Sequence, residues 1–305
     1  MIRAVLSSVM FLVIAFVIFS MPACSGRSGK PRVLVFAKTA GFYHQSIPDG
    51  MVAIQQLGAA NGFDVDTTRN AEWFTEDSLD KYAAVIFLST TGDVLNNYQE
   101  AAFERYIQAG GGFVGIHAAA DTEYDWGWYG RMVGAYFLDH PAIQEAVLNV
   151  TDRTHSSTKH LPEKWKRTDE WYSFKNISKE VKVLMSIDET TYKGGKNGDN
   201  HPMSWYHAFD GGRAFYTALG HTSESFKEEA FLQHMLGGIQ YAIGKNNKLD
   251  YSKAKTLNVP AEDRFTKTML VTGHFFEPTE MTILPNLDIL IAQRRGEILL
   301  YKNGD

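Results

Sequence analysis

The chain has 305 residues, enough for one large domain or two, and 44% of them are hydrophobic, which is typical of a globular protein. The net charge is −5 and basic residues form no run, so the composition gives no support to a nucleic-acid partner. A single cysteine excludes a disulfide within the chain.

The first 24 residues resemble a bacterial lipoprotein signal. A weakly basic start, Met1–Arg3, precedes an apolar run, Ala4–Met21, and Pro22-Ala23-Cys24 ends it. We predict that Cys24 is lipidated and that 25–30 is a polar tether, so the protein is exported and anchored to a membrane, facing the periplasm or the cell surface. The alternative is a membrane anchor, because the apolar run is nearly long enough to span a bilayer.

Short apolar runs then alternate with amphipathic stretches up to residue 120. Strands are predicted over Arg32–Phe36, Asp64–Thr68, Ala83–Ser89 and Phe113–Ile116, and helices between the caps Ser46 and Gly62 and over Asn97–Gln108. This alternation is typical of a doubly wound, mainly parallel sheet that helices cover on both faces. The predicted fold class is therefore α/β, of the flavodoxin-like kind.

The pattern is less regular after residue 120. An aromatic, loop-like stretch covers Thr122–His140, and a polar insertion separates the strands Gln144–Val150 and Val181–Ile187. A hairpin is predicted from Met203–Phe209 to Arg213–Leu219, and a closing helix over Glu228–Ile243.

A second, smaller region follows the closing helix. We predict a domain over 31–244, a linker over 245–263 and a piece with short strands over 264–305. About 40 residues are too few to bury a core of their own, so the last piece is interpreted as the start of a longer domain that has been cut off.

Three histidines are predicted at strand ends. In GGGFVGIHAAAD, His117 follows a short apolar run that is typical of a buried parallel strand. Open α/β sheets bind ligands at that edge. His44 and His221 also follow strands, so we expect all three on one rim of the sheet. The alternative for His117 is a simple cap of its strand.

Five stretches in order along the chain carry a family resemblance: KTAGFYHQSI at 38–47, GGGFVGIHAAADTEYDWGWYGRMVGAYF at 110–137, DEWYSF at 169–174, HPMSWYH at 201–207 and GRAFYTALGHTSESF at 212–226. Over about residues 31–244 they resemble the trehalose-utilization (ThuA-like) family. That family is linked to disaccharide metabolism, including 3-keto derivatives of trehalose-type sugars. The resemblance implies a sugar-related pocket on a class I glutamine amidotransferase-like fold.

His221 and Glu224 resemble the His and Glu that complete the catalytic arrangement of class I glutamine amidotransferases. The nucleophile of those enzymes is a cysteine at a strand-to-helix elbow, and here His117 stands at the elbow. Amidotransferase chemistry is therefore excluded, although the fold is expected to be kept.

The stretch MTILPNLDILIAQRRGEILLY at 281–301 resembles the start of the propeller of soluble pyrroloquinoline-quinone sugar dehydrogenases. Only that opening is present, so the quinone is expected only in a chain that carries the rest of the propeller.

We expect His117 and His221 to act as acid and base, Glu224 to orient His221, and Asp121 to supply a carboxylate beside the elbow. Asp121 could equally cap a helix. Substrate-binding side chains are expected from the loops, the insertion and the strand ends: His44, Glu123, Trp126, Tyr129, His140, Glu170, Tyr172, Trp205 and His207.

The predicted function is an exported enzyme, an isomerase, lyase or hydrolase, that acts on a disaccharide or a 3-keto sugar. One alternative is a non-catalytic carbohydrate-binding module that serves an attached sugar dehydrogenase domain, and another is a protein interface at the aromatic loop 125–131. Histidines and carboxylates on one rim also suit a divalent metal such as zinc, although no HExxH or other short paired spacing supports one. The metal and the oligomeric state stay open.

Overall fold

The structure, a computed structural model, describes residues 29–260, 264, 266, 268–271, 273 and 275–302. The predicted signal segment and Cys24 lie outside the described residues. Within these ranges, the structure contains no helix with the length and apolar character needed to cross a membrane.

The chain divides into two units between Val259 and Pro260. The strands of the first unit are β1 (Arg32–Phe36), β2 (Asp64–Thr68), β3 (Ala84–Leu88), β4 (Gly112–Ile116), β5 (Tyr136–Asp139), β6 (Gln144–Val150), β7 (Lys164–Asp169), β8 (Ser173–Lys175), β9 (Lys182–Ile187), β10 (Pro202–Phe209) and β11 (Gly212–Thr217). Its helices are α1 (Ile47–Asn61), α2 (Glu76–Leu79), α3 (Asn97–Gln108), α4 (Gly127–Val133) and α5 (Glu229–Ile243).

Nine of these strands form one mixed sheet in the order β2-β1-β3-β4-β11-β10-β9-β6-β7. The four pairs within β2-β1-β3-β4-β11 are parallel. The four pairs within β11-β10-β9-β6-β7 are antiparallel. The α/β class predicted from the sequence is confirmed. The carboxyl ends of β1, β3, β4 and β11 meet at one edge, and the candidate site lies there.

The central strands are apolar along their whole length because both faces of the parallel half are covered. All five residues of β3 and of β4 are buried. Helix α1 begins after Ser46 and has Pro48 in its first turn, and it ends at Gly62, whose φ of 77° is easily adopted without a side chain. The predicted bounds of α3 and of the first two strands are confirmed.

Two stretches contain more regular structure than the sequence indicated. The loop-like stretch Thr122–His140 holds α4 and β5, and the polar insertion holds β7 and β8. Strand β7, with the sequence KWKRTD, alternates exposed and buried residues along its length. Its exposed positions are charged or polar, so its composition resembles that of a loop.

Residues 245–259 belong to the first unit and are held at the end of α3. The amide of Asp250 donates to the carbonyl of Ala109 (2.9 Å), and the side-chain oxygen of Gln108 accepts from the amides of Lys255 and Thr256. The second unit holds a three-stranded antiparallel sheet of β12 (Pro278–Ile283), β13 (Ile289–Gln293) and β14 (Ile298–Tyr301).

Candidate functional site

His117 follows β4 directly and starts a short 3₁₀ turn, His117–Ala120. Its φ of 51° lies in the left-handed region, a strained conformation that often accompanies functional sites. Its ring is fully buried, and Nδ1 lies 2.8 Å from the carbonyl oxygen of Ala218. A carbonyl only accepts, so Nδ1 carries the proton and Nε2 of the neutral ring keeps its lone pair.

The structure brings the other two strand-end histidines to the same place. Nε2 of His117 lies 3.0 Å from Nδ1 of His221, which follows β11. His44 comes from the loop after β1. The centre of its ring lies 4.8 Å from the centre of the His117 ring and 5.1 Å from that of the His221 ring. Parallel strands end at one edge of the sheet, and their loops therefore meet.

Glu170 joins these histidines from the antiparallel half of the sheet, just after β7. Its Oε2 lies 2.9 Å from Nδ1 of His221 and 3.4 Å from Nε2 of His117, and its Oε1 lies 2.9 Å from Nδ1 of His140. We call His44, His117, Glu170 and His221 the strand-end cluster. The ligand atoms of the four side chains lie within 4.8 Å of one another.

The cluster has a definite charge arrangement. Burial opposes ionisation of Glu170, but its contacts with His117 and His221 outweigh that effect and hold the pKa of the carboxyl well below its usual range. Burial, together with His117 and His221, lowers the pKa of His44 to about 3. His44 is thus neutral at physiological pH, and its buried Nδ1 has no hydrogen-bond partner among the residues that the structure describes.

Asp169 fixes the backbone on both sides of the cluster. Its carboxylate accepts from the amides of Gly220 (3.0 Å), His221 (3.1 Å) and Glu170 (2.9 Å). A buried ion pair with Arg167 balances its charge, with 3.2 Å between Nη1 and Oδ2. Asp169 therefore couples the loop that carries His221 to the one that carries Glu170.

Tyr172 covers one face of the His117 ring, with 4.3 Å between the ring centres. His201 positions it: Nε2 of His201 lies 2.7 Å from the Tyr172 carbonyl oxygen, while Nδ1 lies 2.6 Å from Glu189. Burial raises the pKa of Tyr172 well above its usual value, so its hydroxyl stays protonated.

The cluster opens to solvent at one of its members, His221, and at its neighbour His140. His140 has 42% of its side chain exposed and His221 has 19%, whereas His117 has none. Asp121, just after the elbow turn, is partly exposed, and its Oδ1 accepts from the hydroxyl of Tyr124 (2.6 Å). Burial raises the pKa of Asp121. A ligand would therefore reach the cluster past these side chains.

Other residues predicted for the site have different surroundings. Glu224 is exposed, and the carboxylate that contacts His221 is that of Glu170. The buried carboxylate of Glu123 accepts from the amides of Val94 and Leu95. The Trp126 ring stacks with Trp128 and Tyr129, and its N–H donates to Glu104.

Tyr129, Trp205 and His207 are buried, and each bonds a backbone carbonyl. The Tyr129 hydroxyl donates to Ala119, the Trp205 N–H donates to Val133, and Nε2 of His207 lies 2.8 Å from the carbonyl oxygen of Met132. Sequence reasoning missed Asp169 and His201, although both stand in the motifs DEWYSF and HPMSWYH. Their roles depend on backbone groups, which leave no mark in the sequence.

Comparison with known proteins gives a family and a fold. The family model for ThuA, described as trehalose utilisation, matches residues 32–242. A ThuA-like protein from Bacteroides uniformis is 23% identical with a TM-score of 0.61, covering 73% of this chain and 95% of that one. One from Parabacteroides merdae is 22% identical with a TM-score of 0.60, covering 72% and 93%. A cytoplasmic protein from Salmonella typhimurium is 13% identical with a TM-score of 0.51, covering 69% and 99%. No curated protein matches. At these identities the solved structures show a shared fold.

Proposed function

The chain belongs to the ThuA (trehalose utilisation) family, and from that premise we propose that it binds a disaccharide or its 3-keto form at the strand-end cluster and converts it by histidine-centred acid–base chemistry. The observation that carries this proposal is the convergence of three imidazoles and one carboxylate at the carboxyl edge of the sheet.

Proton transfer next to a ring ketone needs two kinds of group. A base takes the proton from the carbon beside the carbonyl, and a positive or donating group stabilises the enolate oxygen that results. Imidazoles and carboxylates supply both kinds, and the site combines enclosed groups with groups that solvent reaches.

The enclosed groups fit the second task. Nε2 of His117, Nδ1 of His221 and Oε2 of Glu170 lie within 3.4 Å of one another, and all can present lone pairs. A proton or a cation must lie among them, because unscreened lone pairs at these distances repel. Positive charge at that point would stabilise an enolate oxygen.

The partly exposed groups fit the first task. Asp121 and His140 border the cluster on its open side, and either could take a proton from a bound sugar. The raised pKa of the Asp121 carboxyl makes its carboxylate a stronger base. Nδ1 of the neighbouring His140 lies 2.9 Å from Oε1 of Glu170, which orients the ring.

We also propose that the protein acts outside the cytoplasm, anchored through Cys24. The basic start, the apolar run and the cysteine that follows it support this proposal.

The test is NMR of trehalose and of its 3-keto derivative incubated with the full chain. Glu170→Gln is compared with the wild type, and His160→Gln, at an exposed histidine, is the matched control. New product signals that are lost only in Glu170→Gln would support the proposal. Line broadening without product would favour the carbohydrate-binding module. Unchanged spectra of both sugars would overturn the trehalose-type function.

A further inference from the structure

We propose that the strand-end cluster is a site for a divalent transition metal such as zinc, with ring nitrogens of His44, His117 and His221 and a carboxylate oxygen of Glu170 as the ligands. This inference deepens the proposed function, and it rests on that function for what the metal does: it would supply the positive charge beside a sugar oxygen.

Three of the ligand atoms already have the spacing of a metal site. Nε2 of His117, Nδ1 of His221 and Oε2 of Glu170 form a triangle with sides of 2.9, 3.0 and 3.4 Å. With metal–ligand bonds of 2.0–2.1 Å, neighbouring ligands of tetrahedral zinc lie about 3.3 Å apart. An ion above this triangle therefore needs little movement of the side chains.

His44 supplies the independent observation. Its ring is only 3% exposed and lies against both of the other histidines. Within the described part of the chain, its buried Nδ1 has no hydrogen-bond partner. A buried polar atom without a partner is costly unless an ion or a water completes it. One of its ring nitrogens lies with the other three ligand atoms.

The groups behind the ligands have the pattern that supports metal sites. Nδ1 of His117 donates to the carbonyl of Ala218, which fixes the tautomer and leaves Nε2 as the ligand atom. The other oxygen of Glu170 is held by His140. Asp169 accepts from the amides of Glu170 and His221, so the loops carrying both ligands are fixed from behind.

The donor set selects the class of ion. Imidazole nitrogen suits zinc and other late transition metals, whereas magnesium and calcium prefer oxygen ligands. One carboxylate with three neutral imidazoles leaves a bound divalent ion with net positive charge. A sugar oxygen could reach it as a fifth ligand from the side where His140 and His221 are exposed.

The full chain is stripped with a chelator, dialysed against zinc, and assayed for bound metal by elemental analysis. We expect one zinc ion per chain, not displaced by equal magnesium or calcium. Cobalt substitution should give the visible absorption of a site with few ligands. His44→Asn and Glu170→Gln should each weaken zinc binding more than about 100-fold, since they remove ligands rather than supporting groups.

The matched controls are His160→Gln and His155→Gln, which lie outside the cluster and should bind zinc as the wild type does. Circular dichroism checks that each variant folds. Absence of stoichiometric zinc in the folded wild type would overturn the inference, and so would wild-type affinity in folded His44→Asn and Glu170→Gln.

Sugar conversion is measured separately on the stripped and zinc-loaded protein. Conversion that is equal in both would overturn the role given to the metal beside a sugar oxygen and leave the proposed function standing. Stoichiometric zinc bound by the four residues without any sugar conversion would support the metal site and overturn the function.

Discussion

Nε2 of His117 lies 3.0 Å from Nδ1 of His221, although 104 residues separate the two in the chain. The cause is the sheet order. Strands β4 and β11 are parallel neighbours, and their last residues, Ile116 and Thr217, are in register. The chain then leaves both strands at the same edge, so a histidine one residue after β4 meets a histidine in the loop after β11.

Glu170→Gln should lower kcat/KM by about 100-fold or more, because it removes the carboxylate that lies between the imidazoles. Glu224→Gln should change kcat/KM by less than about 2-fold, since that side chain is exposed and Glu170 holds His221. The assay is sugar turnover with both variants side by side. A large loss in Glu224→Gln with normal Glu170→Gln would restore the arrangement that the sequence predicted.

Asp169→Asn should destabilise the fold by about 3 kcal/mol, because it breaks a buried ion pair and leaves Arg167 paired with the partly exposed Glu228. The same substitution weakens the hydrogen bonds that the Asp169 side chain accepts from the amides of Gly220 and His221. Urea denaturation gives the free energy of unfolding. Asp188→Asn, at an exposed carboxylate, is the control and should cost less than about 1 kcal/mol. Equal losses in the two variants would contradict this prediction.

The free energy of unfolding should fall as the pH drops below 6.5, in part because of His234. Burial lowers the pKa of this histidine from 6.5 to about 3, and Nδ1 donates to the carbonyl of Ser157 (2.9 Å). Below pH 6.5 the unfolded chain takes up a proton that the folded chain refuses, so protonation favours unfolding. At pH 5 this one group costs about 2 kcal/mol relative to pH 7.

Denaturant unfolding at pH 7 and pH 5 measures the effect of His234. His234→Gln should show a smaller loss between the two pH values than the wild type, whatever its stability at pH 7. The exposed control His160→Gln should show the wild-type difference. The same pH dependence in all three proteins would show that His234 titrates normally.

Cys24→Ser should move the protein from the membrane fraction to the soluble fraction of a bacterial host, and should abolish labelling with a radioactive fatty acid. The reason is that a lipid chain on this cysteine would be the anchor. Fractionation followed by immunoblotting measures the distribution. Unlabelled wild-type protein that still sediments with membranes would indicate an anchor formed by the apolar run instead.

The sequence alone was sufficient to predict those strands and helices whose bounds depend on residues close together in the chain. The strands Arg32–Phe36 and Gln144–Val150 and the helix Asn97–Gln108 have their predicted bounds, because apolar periodicity and capping residues act over a few positions. It was also sufficient to place His117, because a buried parallel strand must be apolar on both faces and a histidine ends such a run.

Only the tertiary structure decided which carboxylate lies against the histidines. Glu224 is close to His221 in the chain, yet Glu170 occupies that place because the antiparallel half brings the end of β7 to the cluster. The tertiary structure likewise buries Trp126, Tyr129 and Trp205 in the core. Which polar or aromatic side chain faces a site depends on pairing between strands far apart in the chain, and a local pattern carries no information about that pairing.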